Sequence, residues 1–256
     1  TLPPQAKLRT IHHMSDKHIH GVKAVREALR EPGRVNRVYV AKESRAHGAD
    51  TLATAAKSAG VPFDYVQQAK LNELAGTMEH QGVVAAISPV AYVSFESILE
   101  SCPPKAIVLV LDQVQHPRNL GMSIRTAACA GLHGIVLPER GGALIDDDVL
   151  RASAGAVFHV PVATCGNIAQ TLRDLRDAGF WTYGLDASGE QSVFDTNWAD
   201  RCAIVMGNET KGMRPGVQKA CDVMLRIPLA KGMDSLNVSV AAGVALFQVA
   251  ANHGLR

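Results

Sequence analysis

Between Val22 and Ser88 the apolar positions change rhythm repeatedly, from helical spacing to strand spacing and back. Val22-Lys-Ala-Val-Arg-Glu-Ala-Leu29 predicts an amphipathic helix, and Val35-Asn-Arg-Val-Tyr-Val-Ala41 predicts a strand. The same reading predicts a helix near 50–59, a strand over 62–66, a helix around 71–78 and a strand over 83–88. Such alternation makes a small α/β domain over residues 18–88. Residues 1–17 lack a sustained period and read as a flexible arm. Residues 89–104, with Pro89, Pro103 and Pro104 around a short helix at 95–100, read as a linker.

A second α/β domain, 105–256, opens with Ala106-Ile-Val-Leu-Val-Leu111. A continuous apolar run of this kind suits a parallel strand buried on both faces. Further strands are predicted at 134–137, 180–185 and 203–206, with a helix over 168–178. Asn119 is read as the N-cap of a helix over 120–130 that buries Leu120, Ile124 and Ala128. Arg118, Met122 and Arg125 then share a different face of that helix. Asp146, Asp147 and Asp148 precede an apolar run, and N-capping accounts for them better than a metal site. The last helix, 238–251, carries no charge anywhere on its circumference, so a protein core or a second subunit must cover most of it. Ser235, Asn237 and Ser239 stand at its start as capping side chains.

Composition narrows the classes. With 47% hydrophobic residues in 256, the chain has enough apolar material for two modest cores. No apolar run reaches the roughly 20 residues of a membrane span, and no signal pattern opens the sequence, so a cytoplasmic protein without a membrane partner is expected. Five widely spaced cysteines, with no Cys-x-x-Cys, suggest reduced thiols rather than a disulfide framework or a zinc site. His12, His13, His18 and His20 have no cysteine or carboxylate pair beside them, and no metal is expected. Residues 1–90 hold 12 Lys and Arg against 8 Asp and Glu, whereas the remainder is slightly acidic, which points an RNA-facing surface toward the front.

The chemistry gathers in Ile204-Val-Met-Gly-Asn-Glu-Thr-Lys-Gly-Met213 and Ile227-Pro-Leu-Ala-Lys-Gly-Met-Asp-Ser-Leu-Asn-Val-Ser-Val240. In the first, a strand breaks at Gly207 into a glycine-flanked turn with free backbone N–H groups. A triphosphate loop is excluded, because Gly212 is followed by Met213 rather than by the Lys-Ser/Thr pair. No Gly-x-Gly-x-x-Gly follows a strand, which removes a nicotinamide oxidoreductase.

These two segments, in this order, resemble the second and third motifs of the SpoU (TrmH-like) RNA ribose 2′-O-methyltransferases of the SPOUT class. Asp112-Gln-Val-Gln-His-Pro-Arg-Asn-Leu-Gly-Met-Ser-Ile-Arg-Thr126 resembles the first motif, with His116 where the family commonly has Asp. His80-Gln-Gly-Val-Val-Ala85 resembles the end of the front substrate-binding domain, related to the ribosomal L30e-like fold. The resemblance implies a trefoil-knotted C-terminal domain with a parallel sheet, a homodimer, and S-adenosylmethionine as cofactor. It implies catalytic roles for Asn119, Arg125, Glu209, Ser235 and Asn237, and cofactor contacts from Met206, Gly207, Ile227, Pro228 and Leu236. Arg118 and Ser153, with Gly155 near it, are expected at the substrate. An ordinary ion pair with Lys211 or Arg125 is the plainer alternative for Glu209. Three distant side chains, Arg125, Glu209 and Asn237, are expected to meet at one cavity. The implied reaction is methylation of a guanosine ribose in 23S ribosomal RNA; a transfer-RNA enzyme or a non-catalytic RNA-binding relative is the alternative.

Overall fold

A computed structural model describes residues 18–30, 33–42, 49–88 and 90–254; the arm expected over 1–17 lies outside these. The front part contains β1 (His18–His20), α1 (Val22–Ala28), β2 (Val35–Ala41), α2 (Ala49–Ser58), β3 (Phe63–Val66), α3 (Gln68–Ala75) and β4 (Val83–Ile87). Its sheet runs β1-β4-β2-β3, with β4 antiparallel to both neighbours and β2 parallel to β3. The rhythm predicts this part well except for β1, a three-residue edge strand of His-Ile-His that carries no alternation to read.

After α4 (Phe95–Ser101) come β5 (Ala106–Leu111), α5 (Pro117–Cys129), β6 (Gly134–Pro138), α6 (Asp147–Ala152), β7 (Val162–Cys165) and α7 (Ile168–Asp177). Then follow β8 (Trp181–Leu185), β9 (Gln191–Ser192), β10 (Arg201–Met206), α8 (Pro215–Gln218), β11 (Val223–Arg226) and α9 (Val238–Asn252). All neighbours in this second sheet are parallel, in the order β7-β6-β5-β10-β8-β11-β9.

Every residue of β5 is buried, and alternation divides them between two cores. Ile107, Leu109 and Leu111 join Leu120 and Ile124 of α5, Val149 of α6 and Leu246 of α9. Ala106, Val108 and Val110 join Ile98 of α4, Leu172 of α7 and Val217 of α8. β10 repeats the division, with Ile204 on the first face and Val205 on the second. A strand covered by helices on both faces has no use for polar positions, which is why its sequence reads as one apolar run.

Local signals explain the helix ends. Asp146 caps α6, its Oδ1 accepting from Asp148 N at 2.9 Å and Val149 N at 3.1 Å. The predicted N-cap of α5 is displaced: the helix starts earlier, with Pro117 at its first position and His116 at the cap. Asn119 therefore sits inside the first turn, and its side chain is released for contacts elsewhere. Gly121 lets α5 cross α6 closely, since a Cβ there would lie 2.5 Å from Ala152 Cβ and 2.8 Å from Val149 O. Gly121→Ala is expected to lower stability by about 1–3 kcal/mol. Urea denaturation checks it, and an unchanged midpoint would show that α6 yields without penalty.

The two sheets are joined by polar contacts. Asn36 Nδ2, which also donates to Ile87 O of its own sheet at 3.3 Å, donates to Ile145 O at 3.1 Å, and Arg37 Nη2 donates to Glu139 O at 2.6 Å. Part of the expected linker is docked, because Val93 N donates to Val162 O at 2.9 Å. No helix among the described residues is long and apolar enough to cross a membrane.

Only one side of α9 is covered by this chain. Ala242, Ala245, Leu246 and Val249 are buried, while Val240 and Phe247 are 47% and 45% exposed. Of the two covers expected for this helix, the core of this chain supplies only one side: α5 and the sheet enclose it there, and the opposite apolar stripe stays open.

Candidate active site

The strand ends of β5, β8 and β10 point at three loops, where an open parallel sheet gathers ligands. β10 stops at Met206 and the chain folds back through Gly207–Met213. Asn208 N donates to Gly212 O at 2.9 Å and Gly212 N to Asn208 O at 3.0 Å, pinching the turn. The Asn208 side chain stiffens it further, Oδ1 accepting from Thr210 N and Lys211 N, each at 3.0 Å, while Nδ2 donates to Gln113 O at 2.9 Å. Gly207 is required by space, since a Cβ would stand 2.2 Å from both Gly212 C and Met213 N.

Glu209 turns away from Lys211 and caps the start of α5. Its carboxylate accepts from Gln115 N and His116 N, each at 3.3 Å, and from Asn119 Nδ2 at 3.0 Å. Among the described residues Glu209 forms no ion pair with Lys211 or Arg125; the Asn119 amide and the two backbone donors take up its carboxylate. Asn119 Oδ1 then accepts from Asn237 Nδ2 at 3.0 Å, and Asn237 Oδ1 accepts from Ser239 N at 2.9 Å and Ser239 Oγ at 2.6 Å. The orientation of both amides follows from the chemistry: a carboxylate only accepts, so Asn119 presents its NH₂ there and its carbonyl to Asn237. One hydrogen-bonded chain therefore joins the β10 loop, α5 and the start of α9.

Burial pushes the Glu209 carboxyl up, but the donors from Asn119 and from backbone N–H groups outweigh it and hold the group below its ordinary value. The grip of Glu209 on α5 is thus fully present above the ordinary carboxylate value and is lost as pH falls through the lowered one.

Beside this chain lies a cavity of roughly 400 Å³, within the range of about 300–1,000 Å³ usual for small-molecule sites. Leu185, Met206, Ile227 and Leu236 give it an apolar wall, and Asp186, Glu209, Lys211 and Asp234 supply charge. A larger cavity of roughly 580 Å³ lies between the two sheets, lined by residues such as Asn36, Tyr92 and Asn167, and holds none of the candidate residues. The smaller one has the converging polar groups and is the functional candidate.

Met206, Gly207, Glu209, Ile227, Ser235 and Leu236 line this cavity, and Asn119 and Asn237 are bonded to its Glu209 wall. Four expectations need correction. Pro228 is exposed and outside the lining. Ser235 does not cap α9; Asn237 does, because it stands directly before the first helical residue. Ser153 is fully buried under α5, its Oγ donating to Leu150 O at 3.0 Å, so it faces no substrate. Arg125 makes no bond to Glu209 or Asn237 and stands outside the cavity lining, exposed on α5; it follows Asn119 by six positions, so the two side chains leave the helix in different directions. There Arg118 and Arg125 are both exposed, with Met122 between them. Sequence reasoning did not single out Asn208 or Asp186, which the turn and the cavity use; the polar run after each strand end was the available signal.

The sequence profile of the SpoU rRNA Methylase family matches residues 106–247, and that of the RNA 2'-O ribose methyltransferase substrate-binding domain matches residues 18–93. YacO of Bacillus subtilis, named as a TrmH family tRNA/rRNA methyltransferase, is 34% identical over 241 residues, covering 92% of this chain and 96% of its own. A tRNA/rRNA methyltransferase of Mycobacterium avium is 36% identical over 233 residues, covering 90% and 75%. The AdoMet-bound rRNA methyltransferase of Sinorhizobium meliloti superposes with a TM-score of 0.59 at 26% identity, covering 93% of this chain and 88% of that one. The SpoU methyltransferase AviRb of Streptomyces viridochromogenes, solved with AdoMet, shares the fold with a TM-score of 0.59 at 23% identity, covering 92% and 89%.

Proposed function

The chain belongs to the SpoU rRNA methylase family, and from that membership we propose that it is an S-adenosylmethionine-dependent enzyme that methylates a ribose 2′-oxygen in RNA, with a guanosine of 23S ribosomal RNA as target. The observation that carries the proposal is the bonded chain Glu209–Asn119–Asn237 beside a glycine-walled cavity. The residues fit the cofactor. The apolar wall of Leu185, Ile227 and Leu236 suits an adenine ring, the carboxylates of Asp186 and Asp234 suit a cationic ligand, and Gly207 keeps the backbone bare where a side chain would intrude. When bound, S-adenosylmethionine supplies a methyl group on a positively charged sulfur.

This chain's own residues have the remaining work. Met206, Gly207, Ile227 and Leu236 hold the cofactor, with Pro228 outside the direct contact. Asn119, Asn237 and Ser235 orient the ribose and the loop that carries Glu209. Arg125 brings a two-pronged guanidinium that stabilises negative charge on phosphate and on the developing 2′-oxygen. Arg118 shares that exposed face and binds a neighbouring phosphate.

Ribosomal rather than transfer RNA is favoured by extent. The S. meliloti rRNA enzyme aligns with 93% of the chain, front part included, whereas a structure concerning 2-OH methylation of C/U34 on tRNA aligns with 59%. The front α/β part, related to an L30e-like fold, grips the RNA. A knotted path through the second sheet and a homodimer in the cytoplasm belong to the same proposal; the open stripe of Val240 and Phe247 on α9 supports the dimer.

The test is transfer of labelled methyl to 23S ribosomal RNA and to transfer RNA by purified protein, with 2′-O-methyl marks mapped in cells with and without the gene. A mark lost from 23S RNA is expected; loss only from transfer RNA would redirect the target, and no transfer to any RNA would sink the enzyme reading. Within it, Asn119→Ala is expected to lower kcat roughly tenfold to a hundredfold. The same variant removes the strongest of the donors that lower the Glu209 carboxyl, so its pKa rises and the fall of activity on acidification should begin at higher pH than in the parent. A superimposable pH profile would separate Asn119 from Glu209.

A further inference from the structure

Both ends of the loop that walls the cavity are fastened to a single residue, Asp112, at the end of β5. At the loop's entrance, Asp112 N donates to Met206 O at 2.7 Å. At its exit, the Asp112 carboxylate takes three donors from Arg214: the backbone N at 3.0 Å, Nε at 2.9 Å and Nη2 at 2.6 Å. Asp112 is fully buried, whereas the Arg214 side chain is 46% exposed. Gly207 and Glu209 both lie on the stretch held between these two attachments. Neither Asp112 nor Arg214 lines the cavity.

The residue after Asp112 adds a second strap. Gln113 adopts φ +64°, a left-handed conformation that a non-glycine residue takes up only at a cost, and its carbonyl receives Asn208 Nδ2 at 2.9 Å. Gly141 accommodates the Gln113 side chain, since a Cβ there would stand 2.5 Å from Gln113 Nε2. Stability alone is a weak reason for such a pair, because a buried ion pair is commonly no more stabilising than well-packed apolar residues of the same size. Direction is what an apolar pair lacks: two guanidinium nitrogens and a backbone N–H aimed at one carboxylate fix the angle at which the loop leaves the sheet.

We propose that Asp112 and Arg214 are positioning residues for cofactor binding: the pair sets the separation of Gly207 from Gly212 and the placement of Glu209 without touching cofactor or RNA. This rests on the methyltransferase reading of the same site. Loosening the pair widens the turn, so cofactor affinity falls while the RNA-facing surfaces of the front domain and α5 are unaffected.

The experiment compares the full chain with Arg214→Gln, Arg214→Lys and Asp112→Asn, using S-adenosylhomocysteine titration, ribosomal RNA binding and thermal melting. Arg214→Gln is expected to weaken S-adenosylhomocysteine binding roughly tenfold or more, with RNA affinity within roughly twofold of the parent. Arg214→Lys keeps the charge but not the fork, and its affinity should stand between those of Arg214→Gln and the parent. Should Asp112→Asn fail to fold, the Arg214 variants decide, because their altered side chain is half exposed. Folded Arg214→Gln that binds S-adenosylhomocysteine like the parent, with only a lower melting temperature, would make the pair a stabilising contact and overturn the proposal. Equal losses of S-adenosylhomocysteine and RNA binding would overturn it as well. Parent protein that binds RNA but no S-adenosylhomocysteine is a different failure, that of the cofactor assignment itself.

Discussion

Gly207→Ala is expected to weaken S-adenosylhomocysteine binding roughly a hundredfold, equivalent to about 2.8 kcal/mol. The added methyl would lie 2.2 Å from Gly212 C and Met213 N, both backbone atoms of the opposite limb of the turn. No rotamer relieves such an overlap, so the limbs must part. They are held by two Asn208–Gly212 hydrogen bonds, and parting them breaks the wall of the cavity. The sheet below is unaffected, because β10 pairs with β5 through Met206 and ends before the turn. Gly212→Ala offers a graded comparison. There the added methyl meets Asp186 Oδ2 at 3.4 Å, and the difficulty is the φ of +66°, which costs about 1–2 kcal/mol in a non-glycine residue. Isothermal titration measures both, and a Gly207→Ala protein with parental affinity would remove the turn from cofactor binding.

Arg125→Ala should give the complementary result, with binding kept and transfer lost. Arg125 is exposed on α5 and has no hydrogen bond or ion pair among the described residues, so its removal is expected to change stability by no more than about 0.5 kcal/mol. S-adenosylhomocysteine affinity should stay within roughly twofold of the parent, since Arg125 is outside the cavity lining. Methyl transfer to ribosomal RNA should fall by roughly 10²–10³, the range seen when a group that stabilises developing negative charge is deleted. Arg125→Lys keeps the charge but not the two-pronged donor and should stand between the two. Single-turnover transfer of labelled methyl decides it; a rate within a few fold of the parent would exclude Arg125 from the reaction.

The central strands of the second domain were legible because burial on both faces leaves an apolar run, as in β5 and β10, whereas the short edge strands β7 and β9 and the one-turn helix α8 carry too few residues to show a pattern. The first strand was not, since His18-Ile-His20 is held by pairing with β4 rather than by its own pattern. Asn119 was misread as a cap because Asn is a strong capping residue, yet Pro117 already satisfies the first helical position and moves the boundary back. The place of Glu209 in the site was suggested by motif order, but its partners were not: the sequence offered a charge and nearby cations, and the fold supplied backbone N–H groups from residues more than ninety positions away. Arg125 shows the limit of face arguments. Helical spacing correctly set it apart from the buried stripe, and the same spacing turns it away from Asn119, which the motif had joined to it. For α9 the absence of charge pointed to a cover on most sides, and this chain supplies it on one side only.

The order β6-β5-β10-β8 puts the two best-buried strands of the second sheet side by side although β10 begins ninety residues after β5 ends. During synthesis, then, the Ala106–Leu111 ribbon leaves the ribosome long before its main partner exists, with one edge open and both faces greasy. Polypeptides released by stalling ahead of Arg201 have no native way to close that edge, and they belong in the pellet, or on a chaperone, rather than in the supernatant.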